Sequence, residues 1–160
     1  METNLSKRMS VIAGLVIFFG VLNILLLLVQ AEAAVGGIWT EPEVALAKWN
    51  ESIFGFQVLL LSSRTVFGTI TNVLAMLFML NSIKLMKCGE FFSKCNANII
   101  WWSAPIYFLY SFCSDNMPIV YGVRNAVINS DSIFIPLLLI GIAMIYSTGV
   151  RLSEENRLTV

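Results

Sequence analysis

The residues that could do chemistry are few and poorly placed for it. The chain contains no histidine, and its three cysteines, Cys88, Cys95 and Cys113, form no C-x-x-C pair. The ligand spacings of zinc and haem sites and the relay spacing of a dithiol are therefore missing. The serines have no imidazole base to activate them, and the cysteines lack an obvious activating partner. A quinone-linked thiol oxidase would need paired cysteines on one side of the membrane, and Cys113 has no mate on its side. The acidic and basic residues lie between four long uncharged stretches, never inside them. Transporters and proton pumps keep ionisable groups within the membrane because such groups persist there only where they carry charge or bind substrate. Their absence argues against ion-coupled transport and leaves open passive conduction or passage of a neutral solute. No enzymatic activity, metal or cofactor is expected.

What remains inside the apolar stretches is hydrogen-bonding chemistry. Asn23 and Asn72 sit at similar depths below the same membrane face, at about 1.5 Å of rise per helical residue. Two readings fit them. Either the amides pair across the first two spans, with Thr69 or Thr71 beside them, and hold those helices together by ~0.6 to 2 kcal/mol as interhelical hydrogen bonds do, or each bonds its own helix or a water.

The elements that carry these residues follow from length and polarity. The chain of 160 residues is 58% hydrophobic and 12% charged, far more apolar than a soluble domain. A bilayer core of ~30 Å is crossed by about 20 uncharged residues in a helix. Stretches near residues 9–31, 65–83, 96–114 and 132–150 meet that length, each bordered by charge. Lipid offers no partner to backbone N–H and C=O groups, so such stretches must be helical. The fold expected is an all-α polytopic membrane protein, a single domain over residues 1–160 with four transmembrane helices as two hairpins. The first stretch exceeds the apolar region of a signal peptide and is expected to stay as an anchor.

Arg64 and Lys84 stand about 30 Å apart along a helix, so both can snorkel to opposite interfaces while residues 53–63 extend the helix beyond the membrane or lie on its surface. With the N-terminus inside, Lys7, Arg8, Lys84, Lys87, Lys94, Arg151 and Arg157 are cytoplasmic, against Lys48, Arg64 and Arg124 outside. That asymmetry predicts both termini in the cytoplasm. There is no polybasic stripe for nucleic acid. In the first outer loop, Thr40-Glu41-Pro42-Glu43 reads as a capping box, followed by Val44, Ala45, Leu46 and Trp49, which predicts a short helix resting with Trp39 on the outer interface. Pro105 and Pro136 are expected to kink the third and fourth spans, or Pro136 to mark a first turn.

The cytoplasmic segments are the most distinctive. In the inner turn, Gly89 suits a helix stop and Ser93 the N-cap of the next helix. The tail after Gly149 is polar and too short to fold alone. Gly89, Phe92, Ser93 and Asn96 in the turn, with Gly149, Leu152, Glu155, Asn156, Leu158, Thr159 and Val160 in the tail, resemble the YoaS-type family of bacterial membrane proteins, over the whole chain. Phe91, where proline is common, and Arg157, where an acidic residue is usual, depart from its pattern. The resemblance implies four spans in the bacterial inner membrane and no established activity. Family members are often encoded beside a Cro-like helix-turn-helix regulator, which implies a membrane sensor or anti-regulator whose turn and tail form one partner-binding surface: Gly89, Phe92, Ser93, Asn96, Leu152, Glu155, Asn156, Leu158, Thr159 and Val160. Two further readings stay open. The same residues can simply end helices that meet at the membrane face, and the chain can be a small transport or channel component, or a structural subunit of a membrane complex.

Overall fold

A computed structural model describes residues 4–36, 45–123 and 125–158, with the side chains of 4–6, 157 and 158 left aside. Among these residues every regular element is helical: α1 (Asn4–Val35), α2 (Phe54–Lys87), α3 (Lys94–Asp115), the single turn α4 (Met117–Val120) and α5 (Ser130–Leu158), with a 3-10 turn at Glu51–Ile53 before α2. Three segments, Lys7–Val35, Glu51–Lys87 and Ser130–Asn156, are long and apolar enough to cross a membrane. The 22-residue α3 is not among them, because its asparagines, serines, Pro105, two tryptophans and two tyrosines lower its hydropathy. The aromatic residues among these are amphipathic and common at membrane interfaces.

The helices are longer than the uncharged stretches. α2 is one piece from Phe54, so the residues before Arg64 do extend the second helix. The tail, expected to be too short to fold alone, is helical through Leu158 as a continuation of α5. Adding a residue to an existing helix avoids the cost of nucleation, so a tail too short to fold alone can be helical there. Pro136 lies inside α5 rather than in its first turn. The helix expected in the first loop does not extend over residues 45–50, which are irregular. Their backbone is instead taken up by other elements: Leu46 and Ala47 donate to Ala33 O and Ala34 O at 3.2 and 3.1 Å, and Lys48 to Val120 O at 2.9 Å. Trp39, Thr40, Glu41, Pro42, Glu43, Val44 and Arg124 lie outside the described residues.

α1 packs on α2, α2 on α3 and α3 on α5, while α1 and α5 share no comparable interface. α1 buries a narrow seam at Ala13, Gly20, Leu27 and Ala34, and α5 one at Pro136, Ala143 and Val150, both at spacings of seven. That period winds helices around each other left-handed, and small residues on the seam let the backbones approach. Gly68 of α2 marks a tight crossing. A Cβ there would stand 2.7 Å from the Leu27 side chain of α1 and 2.8 Å from the Tyr110 ring of α3.

A buried core lies at the loop end, where Ala34, Leu60, Leu61, Cys113, Met117, Ile119 and Val120 form one cluster. Buried amides tie the loops to it. Gln57, 1% exposed, donates to Lys48 O and Ile119 O at 3.0 and 2.9 Å and accepts from Asn50 N at 2.9 Å. Asn116 exchanges two hydrogen bonds with the Val127 backbone, at 2.9 and 2.8 Å. Arg64 joins three helices near the same level, donating to Gln30 Oε1 of α1 at 2.6 Å and Ser114 Oγ of α3 at 3.3 Å.

Candidate functional site

At the opposite end of the helices, α2 stops and α3 starts in a short turn. Gly89 has φ +76°, a backbone conformation that only glycine adopts freely. Its N–H closes on Met86 O at 3.1 Å, while Glu90 N reaches Leu85 O at 2.9 Å, which satisfies carbonyls left over at the end of α2. Ser93 is the N-cap of α3, its Oγ accepting from Asn96 N at 3.2 Å. These are the roles the sequence assigns to Gly89 and Ser93.

The turn then packs against the end of α5. Gly149 explains the contact: an added Cβ would meet the Phe92 ring at 2.7 to 2.9 Å, so the ring lies directly on the α5 backbone. One helical turn earlier, Tyr146 meets Phe92 edge-on at 5.1 Å and donates its hydroxyl proton to Phe91 O at 3.1 Å. Lys94 and Glu154 form an ion pair at 3.0 Å and Arg151 and Glu155 one at 3.6 Å, all well exposed and so worth little individually.

Beneath the turn, Asn96 is completely buried. Its Nδ2 donates to Ser82 Oγ at 3.0 Å and to the Tyr146 hydroxyl at 3.4 Å. Both hydroxyl protons are already committed, Ser82 to Phe78 O at 2.8 Å and Tyr146 to Phe91 O. The two oxygens can therefore only accept, which fixes the orientation of the amide. Among the described residues no group donates to the buried Asn96 Oδ1, and a buried acceptor without a donor costs about 1–3 kcal/mol.

Over this layer lies an open groove of about 650 Å³ whose walls are Cys88, Gly89, Glu90, Phe91 and Phe92 from the turn and Gly149, Leu152, Ser153 and Asn156 from α5. Of the residues singled out in the sequence, Gly89, Phe92, Leu152 and Asn156 line it; Ser93 and Asn96 hold the turn that forms one wall. Glu155 stands outside the lining, beside Arg151. The Leu158 side chain, Thr159 and Val160 lie outside the described residues. Tyr146 and Ser82 were not foreseen. Tyr146 precedes Gly149 by three positions and so shares its helix face, a signal present in the sequence.

Asn23 and Asn72 line a separate cavity of about 330 Å³ with Ile12, Leu15, Val16, Phe19, Gly20 and Ala75. Asn72 donates its amide to Gly68 O of its own helix at 2.8 Å. At the loop end, Asp115 gathers a second polar cluster: it accepts from Ser132 Oγ, and from Asn129 N and Nδ2 at 3.2 and 2.8 Å. Burial pushes the Asp115 carboxyl up, but the hydrogen bonds from Ser132 and Asn129 together outweigh it and hold the group below the ordinary carboxylate value.

No protein-family model, curated protein or solved structure matches the chain. Among the described residues no cluster of His, Cys, Asp and Glu could hold a metal ion.

Proposed function

We propose that this chain is a non-enzymatic, four-span protein of the bacterial inner membrane, a member of the YoaS-type family, whose turn and tail together hold a cytoplasmic helix-turn-helix regulator. The observation that carries the reading is the groove itself: turn residues 88–92 and tail residues 149–156 line one recess. Those two segments are also the ones on which the family resemblance rests. Phe91 and Leu152, 62% and 51% exposed, offer apolar contact, and Glu90, Ser153 and Asn156 rim it with polar groups. This mix of an apolar centre and a polar edge is what a protein partner uses.

Four spans and a cytoplasmic position for both ends are part of the proposal. At ~1.5 Å per residue, α3 measures about 33 Å, enough for a ~30 Å core, and it packs in line between α2 and α5. Lys7, Arg8, Lys84, Lys87, Lys94 and Arg151 all belong to the turn end, which the positive-inside rule puts in the cytoplasm.

The test is purification of the intact protein from membranes in mild detergent. A small DNA-binding protein should co-purify, and removal of residues 153–160 should release it. Retention of the regulator by the truncated chain overturns the composite surface. Solute flux through proteoliposomes, with no DNA-binding partner in the purified material, would favour the transport reading instead.

A further inference from the structure

Between α1, α2, α3 and α5 lies another cavity, of about 420 Å³, walled by residues that include Val16, Leu74, Phe78, Ile100, Tyr107 and Leu139. None of the described residues that line it is charged. Three hydroxyls line it, those of Thr71, Ser103 and Tyr107; Thr71 donates to Phe67 O at 2.8 Å and Ser103 to Ile99 O at 2.7 Å, each within its own helix. A cavity so lined gives water too few partners to hold it, and if left empty its walls would forfeit dispersion contacts. The chemistry that fits is hydrocarbon.

The packing says how hydrocarbon arrives. α1 and α5 contribute opposite walls yet share no packed interface, so the recess is uncovered along the seam between them, and in a bilayer that seam faces acyl chains. Volume decides between the possible apolar occupants. A helix ~10 Å across and ~30 Å long fills more than 2,000 Å³, several times the space present. A methylene takes up about as much room as a water molecule, ~30 Å³, so the cavity holds roughly fourteen of them, which is the length of one acyl chain.

Phe78 connects this cavity to the groove at the turn. Its ring lines the cavity and meets Tyr146 edge-on at 6.1 Å; Tyr146 meets Phe92 at 5.1 Å and holds Phe91 O. We infer that the cavity takes one acyl chain of a membrane lipid through the α1–α5 seam, and that its occupancy is passed through Phe78 and Tyr146 to the turn groove. The inference rests on the membrane-spanning reading and supplies the signal for the proposed sensor.

The test uses the full chain in vesicles of phosphatidylethanolamine and phosphatidylglycerol containing a phospholipid with a diazirine on its acyl chain. After illumination, peptide mapping should find adducts at Ile100, Tyr107 and Leu139 at several-fold the yield at Ile145, which is 75% exposed and lies outside the cavity lining. Ser103→Leu fills the cavity from α3 and Ala75→Leu from α2, so one variant remains if the other fails to fold. Either should reduce the cavity adducts several-fold and leave those at Ile145 unchanged. Equal yields at the two kinds of position, or no loss on filling, overturn the site. Coupling is read by the maleimide labelling rate of Cys88, a groove residue, in a Cys95→Ser, Cys113→Ser background. Filling should change that rate several-fold, and an unchanged rate overturns the coupling. None of these readouts requires the regulator, so failure here is distinct from failure of the pull-down.

Discussion

Replacing Gly149 by alanine tests the turn–tail contact directly. Within a helix the change from glycine to alanine is worth about 0.5–1 kcal/mol in favour of alanine, since it removes backbone freedom from the unfolded chain. At Gly141 nothing among the described residues lies within 4 Å of the new Cβ, so Gly141→Ala should realise that gain. At Gly149 the same Cβ would stand 2.7 to 2.9 Å from three atoms of the Phe92 ring, well inside the ~3.5–4.0 Å of a normal carbon contact. The ring must retreat by about 1 Å, at the ~1–3 kcal/mol typical of overpacking. Phe92 is 41% exposed, so it can move, and the low end of that range applies; its retreat also weakens the edge-on pair with Tyr146, worth about 0.5–1.5 kcal/mol. Equilibrium unfolding in mixed micelles should therefore place Gly149→Ala below Gly141→Ala by about 1.5–2.5 kcal/mol, the low-end overpacking cost plus the weakened ring pair. Adding Phe92→Ala should return most of the difference, as coupled neighbours do in a double-mutant cycle. If Gly149→Ala is as stable as Gly141→Ala, the ring does not rest on α5 and the turn and tail are not one surface.

Gly68→Ala pushes on Leu27 and Tyr110 from two sides, and should cost about 1–3 kcal/mol in the same assay because neither neighbour can yield without disturbing a second helix. Gln57→Leu leaves Lys48 O and Ile119 O without their donor; at about 1–3 kcal/mol for each orphaned group, it should destabilise the loop end strongly and speed hydrogen exchange at residues 45–50. Asp115 binds its proton more weakly folded than unfolded, so its contribution to stability is complete above the ordinary carboxylate range and disappears as pH falls through the lowered value. Asp115→Asn should flatten that acid limb of the stability profile, and an unchanged limb refutes the assignment.

Helix content, the three strongly apolar segments and the stop and cap at Gly89 and Ser93 were legible because each depends on residues near one another in sequence. α3 was the hard case. It reads as a span by length and by the absence of charge, whereas its tryptophans and tyrosines weaken the hydropathy that marks the other three. The loop end was misread around Ala45 to Trp49 because an apolar stretch after a capping box looks helical, while the backbone partners that win, Ala33, Ala34 and Val120, come from distant positions. Gln57 was overlooked for the same reason: the Ile119 carbonyl that it bonds is remote in the chain. At the turn, the motif residues were visible but their joint geometry was not, since nothing in the spacing of Phe92 and Gly149 says that a ring will lie on that backbone. For Asn23 and Asn72, similar depth was readable and a shared cavity is what it produces, yet the choice of Gly68 O as the acceptor for Asn72 depends on rotamer and packing.

The two ends of the molecule are held together differently. At the loop end, Gln57, Asn116 and Ser132 are buried and bonded, and the core cluster sits beneath them; opening it would expose several groups at once, so it behaves as a fixed anchor. At the turn end the groove is open, Phe91 and Leu152 are exposed, and Asn96 Oδ1 is buried with no donor among the described residues. An unsatisfied acceptor is a standing penalty that any rearrangement bringing it a donor, from water or from a partner, would relieve. Segments that switch are drawn from the less stable parts of a fold, and a bistable element needs only a small bias to change state. In the proposed coupling Tyr146 would apply that bias, because its ring meets both Phe78 and Phe92 while its hydroxyl both donates to Phe91 O and accepts from Asn96. A shift of Tyr146 therefore alters the wall of the groove and the environment of the orphaned oxygen together, while the loop end keeps the helices in register.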